Sequence, residues 1–186
     1  MPNLNVRILE FINGAAGYYH PLDRFFVDVT SNVTLAIVAV VVGFYIGIYL
    51  PFKQKGTERV HAIKNSFYIA GAVAASFLVT YVIKLLVAFP RPFQTITTLH
   101  TLIALPSDYS FPSGHATVTM AFATAVYVHH KKLGMLLFAF AFAVGVARVY
   151  VGVHYPIDVG VGFLIGFFIP KLIAHFFIKK ESLTLQ

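Results

Sequence analysis

Lys84, Arg91 and Arg148 each stand at or just beyond the end of a long apolar stretch, where a charge is costly unless it has a task. Three fixed cations suit a phosphoryl group. Arginine's planar fork donates paired hydrogen bonds to phosphate oxygens, and lysine acts as a point charge. Phe111-Pro112-Ser113-Gly114 immediately precedes a predicted helix. Its free backbone N–H groups form an anion site, Gly114 lets a ligand approach the backbone, and the Ser113 hydroxyl adds a donor. Together these groups can cradle the equatorial oxygens of a phosphoryl group in its transition state. Two histidines add reactivity. His154 precedes Asp158 by four residues, with Pro156 between them at a first helical position. Asp158 in that first turn can reach back to the imidazole, fix its tautomer and leave the other ring nitrogen as a nucleophile. His115 follows Ser113-Gly114 and is placed to protonate a leaving oxygen and then activate water. A single Lys or Arg here would read equally well as snorkelling to an interface, and a single His as a cap. Three cations and two histidines on one face do not.

The elements that must position these groups are membrane helices. The chain is 58% hydrophobic and 11% charged, against about one-quarter charged in an ordinary soluble domain. A soluble core of this size could not hide so much apolar surface, so the expected solvent is lipid. A run of about 20 apolar residues crosses a bilayer as a helix, and five segments qualify. They are 33–52, 65–89, 114–129, 133–153 and 157–178. The predicted fold class is therefore all-α: a polytopic membrane helical bundle of five spanning helices. Residues 1–30 read as interfacial amphipathic helices, with Val6, Ile8, Leu9 and Ile12 apolar, a turn at Asn13-Gly14 and a second stretch from Pro21-Leu22. A sixth, degenerate span there is the alternative. Residues 179–186 form a tail, and the whole chain reads as one domain. Small residues such as Gly71, Ala72, Ala75 and Gly145 are expected to let helices pack closely.

Charge sets the expected orientation. With five spans, one side of the membrane holds Lys53, Lys55, Arg59, Lys64, Lys131, Lys132, Lys179 and Lys180, with Lys171 leaning toward it. The other holds Arg7, Arg24 and Arg91, with Lys84 and Arg148 leaning toward it. Nine against five makes the first side cytoplasmic, the N-terminus outside and the C-terminus inside. Every residue of the phosphoryl constellation then falls at an outward span end. The net charge of +7 follows from this bias and does not call for nucleic acid as a partner. The absence of cysteine excludes disulfides, thiolate metal sites and a thiol nucleophile. No cleavable signal is read at the N-terminus. The expected location is a prokaryotic inner membrane, as part of the cell envelope.

These residues also carry a family pattern. Lys84-Leu-Leu-Val-Ala-Phe-Pro-Arg91-Pro92, then Pro112-Ser113-Gly114-His115, then Arg148 followed by His154 and Asp158, resemble in order and internal spacing the three signature motifs of the type 2 phosphatidic acid phosphatase superfamily. The resemblance covers about Lys84 to Gly166. It implies that Lys84, Arg91, Ser113, Gly114 and Arg148 bind phosphate, that His154 is the nucleophile, His115 the general acid and Asp158 the partner of His154. It also implies a membrane lipid as substrate, a phosphohistidine intermediate, and no metal or other cofactor. The third motif usually begins Ser-Arg and here reads Ala147-Arg148, so one hydroxyl is missing. Many membrane members have six spans, and here interfacial helices stand in place of the first. That N-terminal pattern is similar to small bacterial undecaprenyl-pyrophosphate phosphatases. Isoprenoid pyrophosphate is accordingly the first expected substrate, ahead of phosphatidylglycerophosphate and the 1-phosphate of lipid A.

Other residues are not assigned to the chemistry. His129-His130-Lys131-Lys132 reads as a positive cytoplasmic turn without a carboxylate nearby. His20, His61, His100 and His175 have no partner visible in sequence. The linking segment 95–108 contains Leu99, Leu102, Ile103 and Leu105 and reads equally as a substrate cover in the headgroup layer or as a passive connection. Two competing functions remain in view. A phosphotransferase would use the same residues with a lipid hydroxyl in place of water. A lipid or anion binder or transporter explains the cations but neither the His154–Asp158 spacing nor His115. A haloperoxidase would need vanadate and is associated with soluble relatives.

Overall fold

The computed structural model describes the backbone of residues 4–184 and, within it, all side chains except those at 33–34, 37–38, 41 and 177–184. The described residues form helices and connecting turns, with no strand among them. In chain order the helices are α1 (Leu4–Asn13), α2 (His20–Thr30), α3 (Asn32–Phe44), α4 (Leu50–Lys53), α5 (Gly56–Val87), α6 (Pro92–Thr95), α7 (Gly114–His129), α8 (Lys131–Tyr150) and α9 (Pro156–Thr184). A π-helical turn, Tyr45–Tyr49, joins α3 to α4. The Ser66 hydroxyl of α5 reaches across to donate to the Ile46 carbonyl in that turn, at 3.3 Å.

Among the described residues, three helices are long and apolar enough to cross a membrane: α5, α8 and α9. Their outer faces carry exposed Leu78, Leu86, Leu136, Phe142, Leu164 and Phe168. A continuous apolar surface of this kind belongs against lipid. The helix α7 is different. It packs against α5, α8 and α9 at the centre of the bundle. That position explains its composition of Ala and Thr: Ala116, Thr117, Ala121, Ala123, Thr124 and Ala125 are all buried, and small side chains let three neighbours approach one axis. At sixteen residues it is also the shortest of the expected spans.

The boundaries differ most from expectation in two places. The helix α5 begins at Gly56, so Arg59, His61 and Lys64 ride on its extended first turns. The helix α9 continues to Thr184, past the expected end at Ile178. The side chains of Lys179 and Lys180, expected as anchors, lie outside the described residues.

The small residues that set the closest approach are only partly the expected ones. A Cβ at Gly145 would stand 2.4 Å from the Phe163 ring, in keeping with a packing role. Gly71 is exposed and meets nothing within 4 Å, so its expected role falls away. The tight contact is instead between α7 and α9, at Gly162 and Gly166. A Cβ at Gly166 would sit 2.5 Å from the Thr117 carbonyl oxygen and 2.8 Å from the Ala121 nitrogen. Both are backbone atoms and cannot rotate away. Gly166→Ala is therefore expected to lower the unfolding temperature in detergent, with an overpacking cost of about 1–3 kcal/mol. An unchanged transition would mean that α9 can shift outward freely.

The N-terminal helices are structural clamps. Leu9 of α1 is wholly buried against Val149, Tyr155 and Val159. The Asn13 side chain, expected only to make a turn, is buried and fully used: its amide donates to the carbonyls of His100 (2.8 Å) and Tyr150 (2.7 Å), and its oxygen accepts the His100 N–H at 2.9 Å. It fastens the 95–108 segment to the end of α8. Leu102 and Ile103 of that segment pack beside Tyr150, Val151 and Val153. Leu99, Leu102 and Ile103 are thus tied down, and Leu105 stays exposed.

Candidate active site

The site is built where α5 and α8 end and α7 and α9 begin. The helix α5 closes on Ala88 in the left-handed region (φ 48°), whose N–H caps the Lys84 carbonyl at 3.0 Å. That reversal, with Pro90 barring continuation of α5, brings Arg91 back beside Lys84. Arg91 is then locked from several directions. Its backbone N–H donates to Gln94 Oε1 (2.8 Å), Nε to the Asp108 carbonyl (2.8 Å) and Nη1 to the Val153 carbonyl (2.8 Å). The helix α7 is placed by the Ser113 N–H, which donates to the Asp158 carbonyl at 3.0 Å. After α8 the chain turns at Gly152 (φ 78°), where a Cβ would stand 2.9 Å from the His100 carbonyl oxygen. The turn delivers His154 to the interior.

Every residue of the expected constellation lies at this bundle end. Lys84, Arg91, Ser113, Arg148, His154 and Asp158 are buried, and His115 is half-buried. Gly114 opens α7, and a Cβ there would meet nothing within 4 Å, so the approach to it is open. His154 faces Asp158 and Arg91 with opposite edges of its ring. Nδ1 is 3.4 Å from Asp158 Oδ2, and Nε2 is 3.3 Å from Arg91 Nη1. A guanidinium only donates, so this arrangement places the proton on Nδ1 and the lone pair on Nε2. Burial, then the charges of Arg148, Arg91, Lys84 and His115, hold the His154 imidazole well below its usual pKa of 6.5. It is neutral at pH 7.

Several partners have no signature in the sequence. Ser110, fully buried, donates to Asp158 Oδ2, and its oxygen lies 3.4 Å from His154 Nδ1. It sits between the two residues of the pair. The Tyr155 N–H donates to the same Asp158 oxygen at 2.9 Å. Arg148 Nη1 donates to Thr30 Oγ1 at 3.1 Å, and His115 Nε2 is 3.1 Å from Asn32 Oδ1. The junction of α2 and α3 therefore reaches both. Asp108 bonds Lys84 Nζ through Oδ2 (2.9 Å) and Arg91 Nη2 through Oδ1 (2.6 Å). Burial pushes the Asp108 carboxyl up, but the Lys84 and Arg91 partners outweigh it and hold the group below the usual carboxylate range. Two buried donors in the site are left over: the Ser113 hydroxyl and Arg148 Nε have no hydrogen-bond partner. Buried donors of this kind are costly unless an acceptor meets them, and an anion oxygen would serve both.

A cavity of about 380 Å³ lies at the opposite end of the bundle, among Ile46, Gln54, Glu58, His61 and His130. None of the site residues lines it. It is far from the chemistry, because Lys84 and His61 are more than twenty residues apart along one helix, a rise of about 1.5 Å each.

A multi-pass helical membrane protein with a buried, cation-lined site at one end of its bundle is the class these features define. The chain belongs to the PAP2 superfamily, whose family model matches residues 65–182, a family of membrane lipid phosphatases. It is 30% identical over 156 residues to the undecaprenyl-diphosphatase BcrC of Bacillus subtilis, covering 84% of this chain and 75% of that one. It is 36% identical over 114 residues to an undecaprenyl-diphosphatase of Sulfolobus acidocaldarius, covering 59% of this chain and 55% of that one. Among solved structures, the crystal structure of Aquifex aeolicus LpxE superposes with a TM-score of 0.74 at 25% identity, over 94% of this chain and 96% of that one.

Proposed function

We propose that this protein is a metal-independent phosphatase that cleaves an isoprenoid diphosphate at the outer face of the inner membrane through a phosphohistidine. The observation that carries the reading is His154: buried, neutral, its Nδ1 edge on Asp158 and Ser110, its Nε2 edge on a guanidinium. In the first step Nε2 attacks the terminal phosphorus, a P–N bond forms and the bridging P–O bond breaks. His115, which takes up a proton from water as the anionic headgroup meets the site, gives that proton to the departing lipid phosphate oxygen. In the second step neutral His115 takes a proton from water, the hydroxide attacks phosphorus, and the P–N bond breaks to release orthophosphate and restore His154. Lys84, Arg91, Arg148, the Ser113 hydroxyl and the backbone at Gly114 hold the equatorial oxygens throughout. Asp158 keeps the Nδ1 proton in place and steadies the positive imidazole of the intermediate.

The names of the two relatives support the diphosphate as substrate. The lipid tail stays among the exposed apolar faces of the long helices while the headgroup enters the polar end. The orientation rests on the nine-to-five excess of Lys and Arg at the far end, which assigns that end to the cytoplasm. On this reading α7 and the α3–α4 segment complete five crossings.

Phosphate release by the purified protein in mixed micelles tests the proposal. The panel is undecaprenyl pyrophosphate, phosphatidylglycerophosphate, phosphatidic acid and lipid A, with a chelator present throughout. Release that survives the chelator and is fastest on undecaprenyl pyrophosphate is expected. Release from none of the four lipids would overturn the catalytic reading in favour of a lipid or anion binder.

A further inference from the structure

The three cations at the bundle end are not equally available. Arg148 keeps a buried N–H without a partner, and the Ser113 hydroxyl is likewise unused. Lys84 and Arg91, in contrast, are both engaged by one carboxylate. Asp108 places Oδ1 at 2.6 Å from Arg91 and Oδ2 at 2.9 Å from Lys84, a two-pronged contact of the form a phosphate would make. Its main-chain carbonyl also takes Arg91 Nε, and the neighbouring Tyr109 carbonyl takes Lys84 Nζ.

The carboxylate is well placed to leave. Its side chain is 55% exposed, whereas those of Lys84 and Arg91 are 9% and 3% exposed. Asp108 therefore recovers hydration by rotating outward, while the cations stay fixed by the backbone carbonyls of Asp108, Tyr109 and Val153. The linker on the N-terminal side of Asp108 is anchored by Asn13, and Ser110 on the other side is pinned by its N–H to the Phe89 carbonyl at 2.8 Å. A side-chain rotation suffices, without movement of the segment.

We propose that Asp108 is a resident anion that competes with phosphate for Lys84 and Arg91, so that it sets the charge a ligand needs to enter and drives orthophosphate out after turnover. This rests on the phosphate-binding reading of the site given above. A singly charged ligand gains little by replacing a carboxylate. A diphosphate carries more charge on adjacent oxygens and displaces it more readily, since Coulomb attraction scales with the product of charges. Specificity of this kind comes from a repulsive element built into the site as much as from the attractive ones.

Binding of inorganic phosphate and of methylene diphosphonate to the purified full chain in detergent micelles, by titration calorimetry, tests this. In the unaltered protein the diphosphonate is expected to bind at least about tenfold more tightly than phosphate. In Asp108→Asn and Asp108→Ser, phosphate affinity is expected to rise at least about tenfold and the preference for diphosphonate to narrow. Asp108→Glu, which keeps the charge, should retain weak phosphate binding. Equal affinities for the two anions in the unaltered protein, or unchanged or weaker phosphate binding in both neutral variants, would overturn the proposal and leave Asp108 as a brace for the cations. The first comparison needs no variant to fold. The readout is also independent of turnover: tighter phosphate binding in the neutral variants with no lipid hydrolysis by the unaltered protein would uphold the resident anion and defeat the catalytic reading, and hydrolysis by the unaltered protein without that tightening would do the reverse.

Discussion

His154→Ala is expected to reduce kcat for lipid phosphate release by at least about 10⁴-fold, because it removes the atom that forms the covalent bond. KM should move far less. Lys84, Arg91, Arg148 and Ser113 hold phosphate, and none of them depends on the imidazole for its position: Arg91 retains its bonds to the carbonyls of Asp108 and Val153. The cleanest check is a quench after milliseconds with labelled substrate. The unaltered protein should carry acid-labile phosphate on histidine and the variant none. Equal release by the variant would mean that water attacks directly and that His154 is only a packed residue.

The same residue gives the protein a pH signature. Burial first, then the neighbouring cations, depress the His154 pKa well below 6.5. The unfolded chain therefore binds a proton near pH 6.5 that the folded protein refuses, and stability falls as pH drops from about 6.5 toward the folded pKa. Above about 6.5 the contribution is complete. The unfolding temperature in detergent should decline below that pH, and the decline should be shallower in His154→Asn. An equal slope in the variant would place the titration elsewhere.

How much of this was legible beforehand depended on contrast. A charge stands out within an apolar run, so Lys84, Arg148 and Asp158 announced themselves, and their helix ends followed from where the runs stopped. The helix α7 has the expected bounds, Gly114–His129, because Ser113 and the His130 turn mark both ends. Asp108 and Ser110 carried no such contrast. They lie in an aperiodic connection where an Asp or Ser is ordinary: only the backward turn at Ala88 brings Lys84 and Arg91 against Asp108, and Ser110 meets His154 and Asp158 from more than forty residues away. Thr30 and Asn32 were hidden for a similar reason: their partners Arg148 and His115 are more than eighty residues away. Asn13 beside Gly14 has the sequence of a turn, whereas its side chain clamps two distant backbones. Gly162 and Gly166 looked no different from Gly71. Which glycine meets a backbone depends on the rotation of α9 against α7, and a helix apolar on every side does not reveal that rotation.

Asp158→Asn is the second large expected effect, a loss of about 10²–10⁴-fold in kcat with the fold intact. The argument is one of proton placement. Asp158 Oδ2 accepts from Ser110 and from the Tyr155 N–H and faces His154 Nδ1. As an acceptor it holds the imidazole proton on Nδ1 and leaves Nε2 free to attack. An amide can present its NH₂ instead. If it donates to Nδ1, the proton moves to Nε2, the lone pair is lost from the attacking nitrogen, and the ring is turned against Arg91, which has only donors to offer. Ser110 decides how severe this is, because its hydroxyl also reaches both residues. With Ser110 present, the hydroxyl can accept from Nδ1 and rescue part of the correct tautomer. Ser110→Ala alone should therefore cost less than Asp158→Asn. The double variant should lose more than the sum of the two free-energy costs, since each single variant leaves one acceptor for the Nδ1 proton and the pair leaves none. Steady-state kinetics of the four proteins at saturating lipid measure the coupling. Strict additivity would show that Ser110 serves only to pin the loop and takes no part in holding the histidine.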